Sequence, residues 1–340
     1  MKYQTFDYER YNVVETRIRQ FNRFNVIGKD SSGSYDMYSI ELGTDGKPPI
    51  LITAGVHGQE TEVTQYSMSF MEDLRDDNFP DKDFRDELLE NFLIVYIPVL
   101  NPWGMDNIPD PYIRIGSDHY RNINQVDINR DFVNQSQAET RNVVNVMNRY
   151  DYFAHLDLHM MYPGYNLVND ENFVVANESN DSKPQQNEMA DEWETFTGSP
   201  VRRWDLRPAR AHMVRGYSID KPNPYTPYTL PMMTEIMRPV WWNGVFTEYL
   251  TNEEIFYSGY ASLYSFFKVA MKFYDESTEE VIPEIPHIPD DLEVGTFISR
   301  NDDGLTESMI QRRDKRETSK LFIRNNFGYV TRVETETKDI

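Results

Sequence analysis

Among the six histidines of this 340-residue chain, His57 opens the pattern His57-Gly58-Gln59-Glu60 directly after the apolar run Pro49-Ile50-Leu51-Ile52-Thr53-Ala54-Gly55. A short continuous apolar run of this kind reads as a buried strand of a parallel sheet. The segment from Glu60 to Arg75, with Val63, Tyr66, Met68, Phe70, Met71 and Leu74, reads as the helix that follows it. An imidazole where the strand gives out and a carboxylate three residues on can converge on one cation. Alone the spacing is weak: about one H-x-x-[DE] arises by chance at this composition, and His287-Ile288-Pro289-Asp290 shows such an accident. His159 adds weight, because it ends a second core run, Tyr152-Phe153-Ala154-His155-Leu156-Asp157-Leu158. It is expected at the same sheet edge as His57, where sites form in open α/β sheets. Two His and one Glu with an open fourth position make a catalytic zinc set, and zinc brings the pKa of bound water to about 7.

The segment Arg121-Asn122-Ile123-Asn124-Gln125-Val126-Asp127-Ile128-Asn129-Arg130-Asp131-Phe132 interleaves two Arg and several Asn with few apolar residues. A guanidinium fork grips a carboxylate bidentately, and another can stabilise a developing oxyanion. The bland alternative is that Arg121 and Arg130 only neutralise acids such as Asp127 and Asp131. The charge balance leans toward an anionic substrate group: 34 Lys and Arg against 56 Asp and Glu give −22, so arginines near a metal are a local exception. The same charge argues against nucleic acid and anionic membrane surfaces as partners. With no Cys, disulfides, thiol nucleophiles and Cys-bound metals are excluded, and any metal site must use His, Asp and Glu. The first residues lack the apolar core of a secretory signal, and no run of about 18 apolar residues occurs. The expectation is a soluble protein, cytoplasmic or released without a secretory signal.

These residues need a scaffold. Tyr38–Leu42 alternates like a half-buried strand, Phe92–Val99 is another buried strand, and Val143, Val144 and Met147 give one face to a helix over 139–149. Gly244–Leu250 reads as a further strand and 257–273 as a closing helix, whereas 163–240, rich in Asn, Pro and Tyr, reads as long loops. Strands alternating with helices imply a mostly parallel sheet covered on both faces. The expected organisation is a catalytic domain over 1–280, a linker over 281–291 marked by Pro283, Pro286 and Pro289, and a small β-rich extension over 292–340 that could dock a protein partner.

Taken together, the motifs resemble the zinc metallocarboxypeptidases of the carboxypeptidase A type. The ordered set is His57-Gly58-Gln59-Glu60, Asn101-Pro102-Trp103-Gly104, Arg121 with Asp127-Ile128-Asn129-Arg130, Glu139-Thr140-Arg141, Asp157-Leu158-His159 and Phe246-Thr247-Glu248. It spans roughly residues 26–270. The resemblance implies a three-layer α/β/α fold around a mixed sheet and one zinc ion per chain, held by His57, Glu60 and His159. It implies that Asp127 orients a ligand histidine, that Arg121 polarises the scissile carbonyl, and that Asn129 and Arg130 hold the substrate's terminal carboxylate. Glu248 takes the place of the general base, and Tyr225 or Tyr228 that of a tyrosine capping the substrate. Gln59, Trp103 and Met160 depart from the family's usual residues without removing a ligand, which bears on side-chain preference. The activity implied is hydrolysis of a peptide amide beside a free carboxylate. A related alternative is an N-acyl amino acid amidohydrolase, whose branch (succinylglutamate desuccinylases and aspartoacylases) shares the H-G-x-E and Asp-x-Asn-Arg pattern. A third reading is a non-catalytic binding or assembly protein on the same scaffold. His155 is expected behind the site or in the core, His119 and His212 in loops, and Trp241-Trp242 as packing.

Overall fold

The computed structural model describes residues 9–107, 120–161, 173–177, 181–205, 223–237, 240–242, 245–247, 250–278, 280–281, 295–300, 306–313, 316–325 and 330–339. The chain divides into two compact units, one made of 1–224 with 228–271, the other of 225–227 with 272–340.

The first unit is built on an eight-stranded sheet. Its strands are β1 (Phe24–Lys29), β2 (Asp36–Gly43), β3 (Pro49–Thr53), β4 (Leu93–Ile97), β5 (Ala154–Met161), β6 (Phe173–Asn177), β7 (Val201–Asp205) and β8 (Leu230–Met237), in the order β1-β2-β4-β3-β5-β8-β6-β7. β4, β3, β5 and β8 run parallel, as do β6 and β7, while β1, β2 and the β6–β8 pair are antiparallel. The sheet is therefore mixed and mostly parallel, as expected. Every residue of β3, β4 and β5 is buried, which is why these strands read as unbroken apolar runs: each is covered on both faces.

The helices described are α1 (Tyr11–Ile18), α2 (Thr61–Arg75), α3 (Lys82–Asn91), α4 (Pro102–Asp106), α5 (Ala138–Met147), α6 (Lys183–Thr197) and α7 (Asn252–Thr278). α5 covers one face: its Val143, Val144, Val146 and Met147 cluster with Leu51, Val95 and Ile97. On the other face, Ser67 of α2 bonds the Tyr96 hydroxyl at 2.6 Å, and Phe70 stacks on Phe267 of α7 with centroids 5.7 Å apart. α6 lies on this side too, its Trp193 packing on Phe173 at 5.2 Å. The result is a three-layer α/β/α unit. No helix among the described residues is long and apolar enough to cross a membrane.

Two expectations need correction. Residues 163–240 are not mainly loop: among those described, β6, β7, β8 and α6 complete the sheet and its cover. They escape pattern reading because α6 turns inward only a few apolar residues, Met189, Ala190 and Trp193, in an otherwise polar sequence. The second concerns where the strand expected at Gly244–Leu250 lies, since it is present over Val245–Thr247. Val245–Thr247 pairs antiparallel with Val240–Trp242 in a separate two-stranded sheet. The place beside β5 is taken by Leu230–Met237, which pairs with β5 over all eight of its residues. Side chains of Trp241 and Trp242 lie outside the described residues, as do His119, His212 and His287.

The second unit is antiparallel. β11 (Glu280–Val281), β12 (Gly295–Arg300), β13 (Thr306–Arg313), β14 (Arg316–Asn325) and β15 (Val330–Asp339) form one sheet with the order β12-β13-β14 and both β11 and β15 on β14; the separate pair noted above, β9 (Val240–Trp242) and β10 (Val245–Thr247), belongs to the first unit. Among the described residues of these strands, Ile310 and Ile323 are buried, and Lys338 reaches the buried Glu317 at 2.8 Å. The expected β-rich C-terminal piece is present.

The link from β3 to α2 is held against the segment after β4. Leu100 N–H donates to Ala54 O at 3.1 Å and Asn101 N–H to Gly55 O at 2.9 Å. Gly55 adopts φ +64°, a left-handed turn that suits glycine. Gly58 meets Gly104 backbone to backbone: a Cβ on Gly58 would lie 2.2 Å from the Gly104 carbonyl carbon. The glycine of H-G-Q-E is thus demanded by the N-P-W-G backbone, whereas a Cβ on Gly104 would meet the Asn101 side chain at 2.5 Å. Replacing Gly58 by Ala forces these backbones apart and should cost about 1–3 kcal/mol. Urea unfolding at fixed metal concentration measures it, and an unchanged midpoint would show that the two loops separate freely.

Candidate metal centre

β3 and β5 are adjacent and parallel, with Thr53 paired to Asp157, so both chains reach the same sheet edge. From there the turn 54–60 brings His57 over the edge, and β5 runs two residues further to His159. The ring centroids of His57 and His159 are 5.0 Å apart. Glu60 occupies the residue before α2, a position where a side chain commonly caps the helix, yet it makes no capping bond. Its carboxylate turns instead to the two rings: Oε1 lies 2.8 Å from His57 Nδ1 and Oε2 3.3 Å from His159 Nδ1. Met160 N–H donates to Oε2 at 3.1 Å and steadies it. His57, Glu60 and His159 offer donor atoms all within 4.8 Å of one another, a nitrogen and oxygen set suited to zinc.

Each imidazole turns its other nitrogen to an acid. His57 Nε2 is 3.6 Å from Asp127 Oδ1, and His159 Nε2 is 2.8 Å from Asp157 Oδ2. Carboxylates so placed fix the tautomer and orientation of a metal-ligating ring. Behind Asp157 the chain of contacts continues: Thr53 Oγ1 donates to Asp157 Oδ1 at 2.7 Å and lies 2.9 Å from His155 Nε2. All three are fully buried. His155 is thus behind the site, as expected, whereas the sequence reading gave Asp157 no role. The signal was available: with a period of two, Asp157 and His159 share one strand face.

The charges are strongly coupled. Burial alone would lower His57, but the Glu60 carboxylate and Asp127 outweigh it and push the ring up to about 9. For His159, burial again works downward and is overcome by Asp157 and Glu60, which hold it well above the usual range. Burial would raise Glu60, but the two rings hold it well below the ordinary carboxylate range. Asp127 is lowered likewise, burial being outweighed by its bond to His57 and the charge of Arg130.

The segment 120–131 forms one wall. Tyr120 packs edge-on against the His57 ring at 5.9 Å. The Arg121 guanidinium lies 5.1 Å from the Tyr120 ring centre, and its Nε donates to the Tyr120 hydroxyl at 3.0 Å. Arg121 therefore reaches the neighbourhood of the site by way of Tyr120, a residue absent from the sequence reading. Asn129 is buried with Nδ2 3.5 Å from His159 Nε2. Arg130 is more open, its Nη1 donating to Asn129 O at 2.8 Å and its Nε 3.9 Å from Asp127 Oδ2. The wall is anchored from behind by Glu139, fully buried at the start of α5, which accepts from Asn122 Nδ2 at 3.3 Å and from Ser31 N–H at 3.1 Å. That is the work of the Glu139-Thr140-Arg141 motif.

Three further expected residues are Glu248, Tyr225 and Tyr228. Glu248 lies outside the described residues. Tyr228 stands just before β8, at the end of that strand away from His159, and its hydroxyl donates to Asp181 O at 2.7 Å and lies 3.0 Å from Gln185 Oε1. Tyr225 groups with the second unit. Beside His159 the structure places Glu235, its register partner on β8. Residues paired across adjacent strands share a face, so Glu235 emerges on the His159 side of the sheet, and it is the one residue of β8 that is not buried.

Comparison with known proteins accords with this geometry. Residues 11–171 match the family model described as zinc carboxypeptidase, a stretch that holds all three candidate ligands and bears out the resemblance read from the motifs. Among solved structures, a metallo-carboxypeptidase from Burkholderia cenocepacia is similar at TM-score 0.58 and 15% identity, over 79% of this chain and 70% of that one. A metallo-carboxypeptidase from Pseudomonas aeruginosa, bound to (2-guanidinoethylmercapto)succinic acid, gives 0.59 and 15% over the same shares. Carboxypeptidase A from Helicoverpa armigera gives 0.55 and 14%, over 78% and 73%. At these identities the likeness is one of fold. A comparison with curated proteins finds no match. Zinc is the metal of the matching family, and His57, Glu60 and His159 form the candidate site for it.

Two outcomes follow from the coupled rings. Asp157→Asn keeps the strand packing but weakens the brace on His159, and should lower zinc affinity by about 10–100-fold in a chelator competition titration. Unchanged affinity would reduce Asp157 to a core residue. Ligand rings must be neutral, whereas the free His57 ring is protonated up to about pH 9, so zinc uptake at pH 7 should expel roughly one to two protons and affinity should fall as pH is lowered. Calorimetry in two buffers of different ionisation heat counts them; zero release would contradict the charge state derived above.

Proposed function

We propose that the chain is a zinc-dependent carboxypeptidase that hydrolyses a peptide amide next to a free terminal carboxylate. The observation that carries this reading is the carboxylate of Glu60 lying between two inward-facing imidazole nitrogens, with Glu235 in register beside His159. Zinc, when bound by His57, Glu60 and His159, supplies a water acidic enough to act at neutral pH and a Lewis acid for the scissile carbonyl.

The remaining work falls to side chains of this chain. Asp127 and Asp157 keep the two rings in the tautomer that presents Nδ1. Glu235 takes up a proton from the attacking water and returns it to the leaving nitrogen, the task of a general base that then acts as acid. Register supports Glu235 over Glu248 for this task, because the strand beside His159 is Leu230–Met237 and not Val245–Thr247. Arg121 stabilises negative charge developing on the carbonyl oxygen. Arg130, the more open of the two arginines, pairs with the terminal carboxylate, and Asn129 positions it through the carbonyl that Arg130 already holds.

The test is a turnover assay with short peptides bearing free or amidated ends and with N-acyl amino acids. The wild type should prefer free-ended peptides. Glu235→Gln should keep its zinc and lose about 10²–10⁴-fold in turnover, whereas Glu248→Gln should retain it. The reverse result returns the proton-transfer role to Glu248, and preferential cleavage of N-acyl amino acids overturns the peptidase reading.

A further inference from the structure

At the far end of α2 from the metal centre lies a second concavity, of about 280 Å³, walled by aromatic side chains. α2 begins directly after Glu60 and its 15 residues span about 22 Å, after which the chain turns through Phe79, Pro80 and Asp81 into α3. Phe79 and Asp81 form one side of the cavity, Phe196 at the end of α6 a second, and Tyr257, Tyr260 and Tyr264 of α7 the third. None of these residues takes part in the metal centre.

The polar ends of the three tyrosines are already committed. Tyr257 donates to Phe196 O at 2.9 Å, Tyr260 donates to the Asp73 carboxylate and Tyr264 to that of Asp81. What remains to line the cavity is ring carbon. A ligand that needs hydrogen bonds would lose them there, so the walls select a group that needs none. Charge then decides between a neutral and a cationic group. Two of the phenols donate to carboxylates, which enriches their rings in electron density, and Asp81 stands exposed at the rim. Its two partners, the Tyr264 hydroxyl and the Phe84 N–H, hold its carboxyl below the usual range. The cluster already takes a cation on one ring: Lys268 Nζ lies 5.7 Å from the Tyr264 centroid, while Glu192 balances its charge at 2.9 Å. Electron-rich ring faces with a nearby carboxylate bind alkylated ammonium groups, which carry charge without N–H donors.

We propose that the cavity walled by Phe79, Phe196, Tyr257, Tyr260 and Tyr264, with Asp81 at its rim, binds an alkylated ammonium cation of the trimethylammonium type. It is a site separate from the metal centre, suited to hold the protein to a molecule or surface bearing such groups while the metal edge stays open.

The experiment compares choline with its neutral isostere, in which carbon replaces the nitrogen, by chemical-shift titration of the full chain. Choline should saturate and the isostere bind at least about fivefold more weakly. Tyr257→Ala should weaken choline by roughly five- to thirtyfold, and Asp81→Asn, whose one carbonyl oxygen keeps the Phe84 N–H bond while its NH2 group donates to the Tyr264 oxygen, should weaken choline while leaving the isostere unchanged. Choline-displaceable binding to phosphatidylcholine vesicles would assign a membrane-borne headgroup, and choline binding without vesicle binding a soluble one; both support the site. Equal affinity for choline and isostere, or no saturation by choline up to about 50 mM, overturns it. The wild-type comparison is decisive by itself should either variant fail to fold.

Discussion

One carboxylate organises the centre of this molecule. Glu60 is buried, holds one imidazole nitrogen on each oxygen, and relies on both rings to keep its charge in a place where water would otherwise be needed. Burying a charge is costly unless it is paired, so the three side chains stabilise one another or none of them is stable there. Everything that brings them together is ordinary sheet geometry. Parallel β3 and β5 end at one edge, a left-handed Gly55 lets the chain turn, and α2 starts one residue after the carboxylate.

The surrounding architecture extends that constraint outward in two directions. Through Asp127 it reaches the arginine-bearing segment, which Glu139, Asn122 and Ser31 tie to the start of α5. Through Asp157, Thr53 and His155 it reaches into the sheet itself. On the proposed function, the loop side carries the groups that meet substrate, and the strand side carries the groups that hold the ligand ring still. This division suits an enzyme whose specificity resides in loops and whose chemistry needs fixed positions.

Much of the centre was legible in the sequence because its residues sit where patterns are strongest. His57 and His159 terminate continuous apolar runs, and a doubly covered parallel strand leaves such a run as its signature. Asp157 shares a strand face with His159 by the two-residue period, but spacing alone does not say that its carboxylate meets the ligand ring. Glu235, the residue proposed above for proton transfer, carries little signal in the sequence. β8 contains Pro231, Thr234 and Glu235 among its apolar residues, so it resembles a loop, and only pairing with β5 reveals it as a central strand. Phe246-Thr247-Glu248 carried a clearer strand signal, but strand propensity does not say which sheet a strand joins. α6 was obscured for a similar reason: a helix that buries few residues has little periodicity to read.

His159, Asp157, Thr53 and His155 belong to strands buried on either side, so the sheet itself fixes one ligand and its support, while His57 and Glu60 are added by the turn after β3. In small zinc-binding modules the ion is what folds the chain; here the order is inverted. On the proposed zinc-dependent reading, ion capture and ion loss would be exchange events reached through the loop bearing His57, and zinc would add stability to a fold that the sheet already supports.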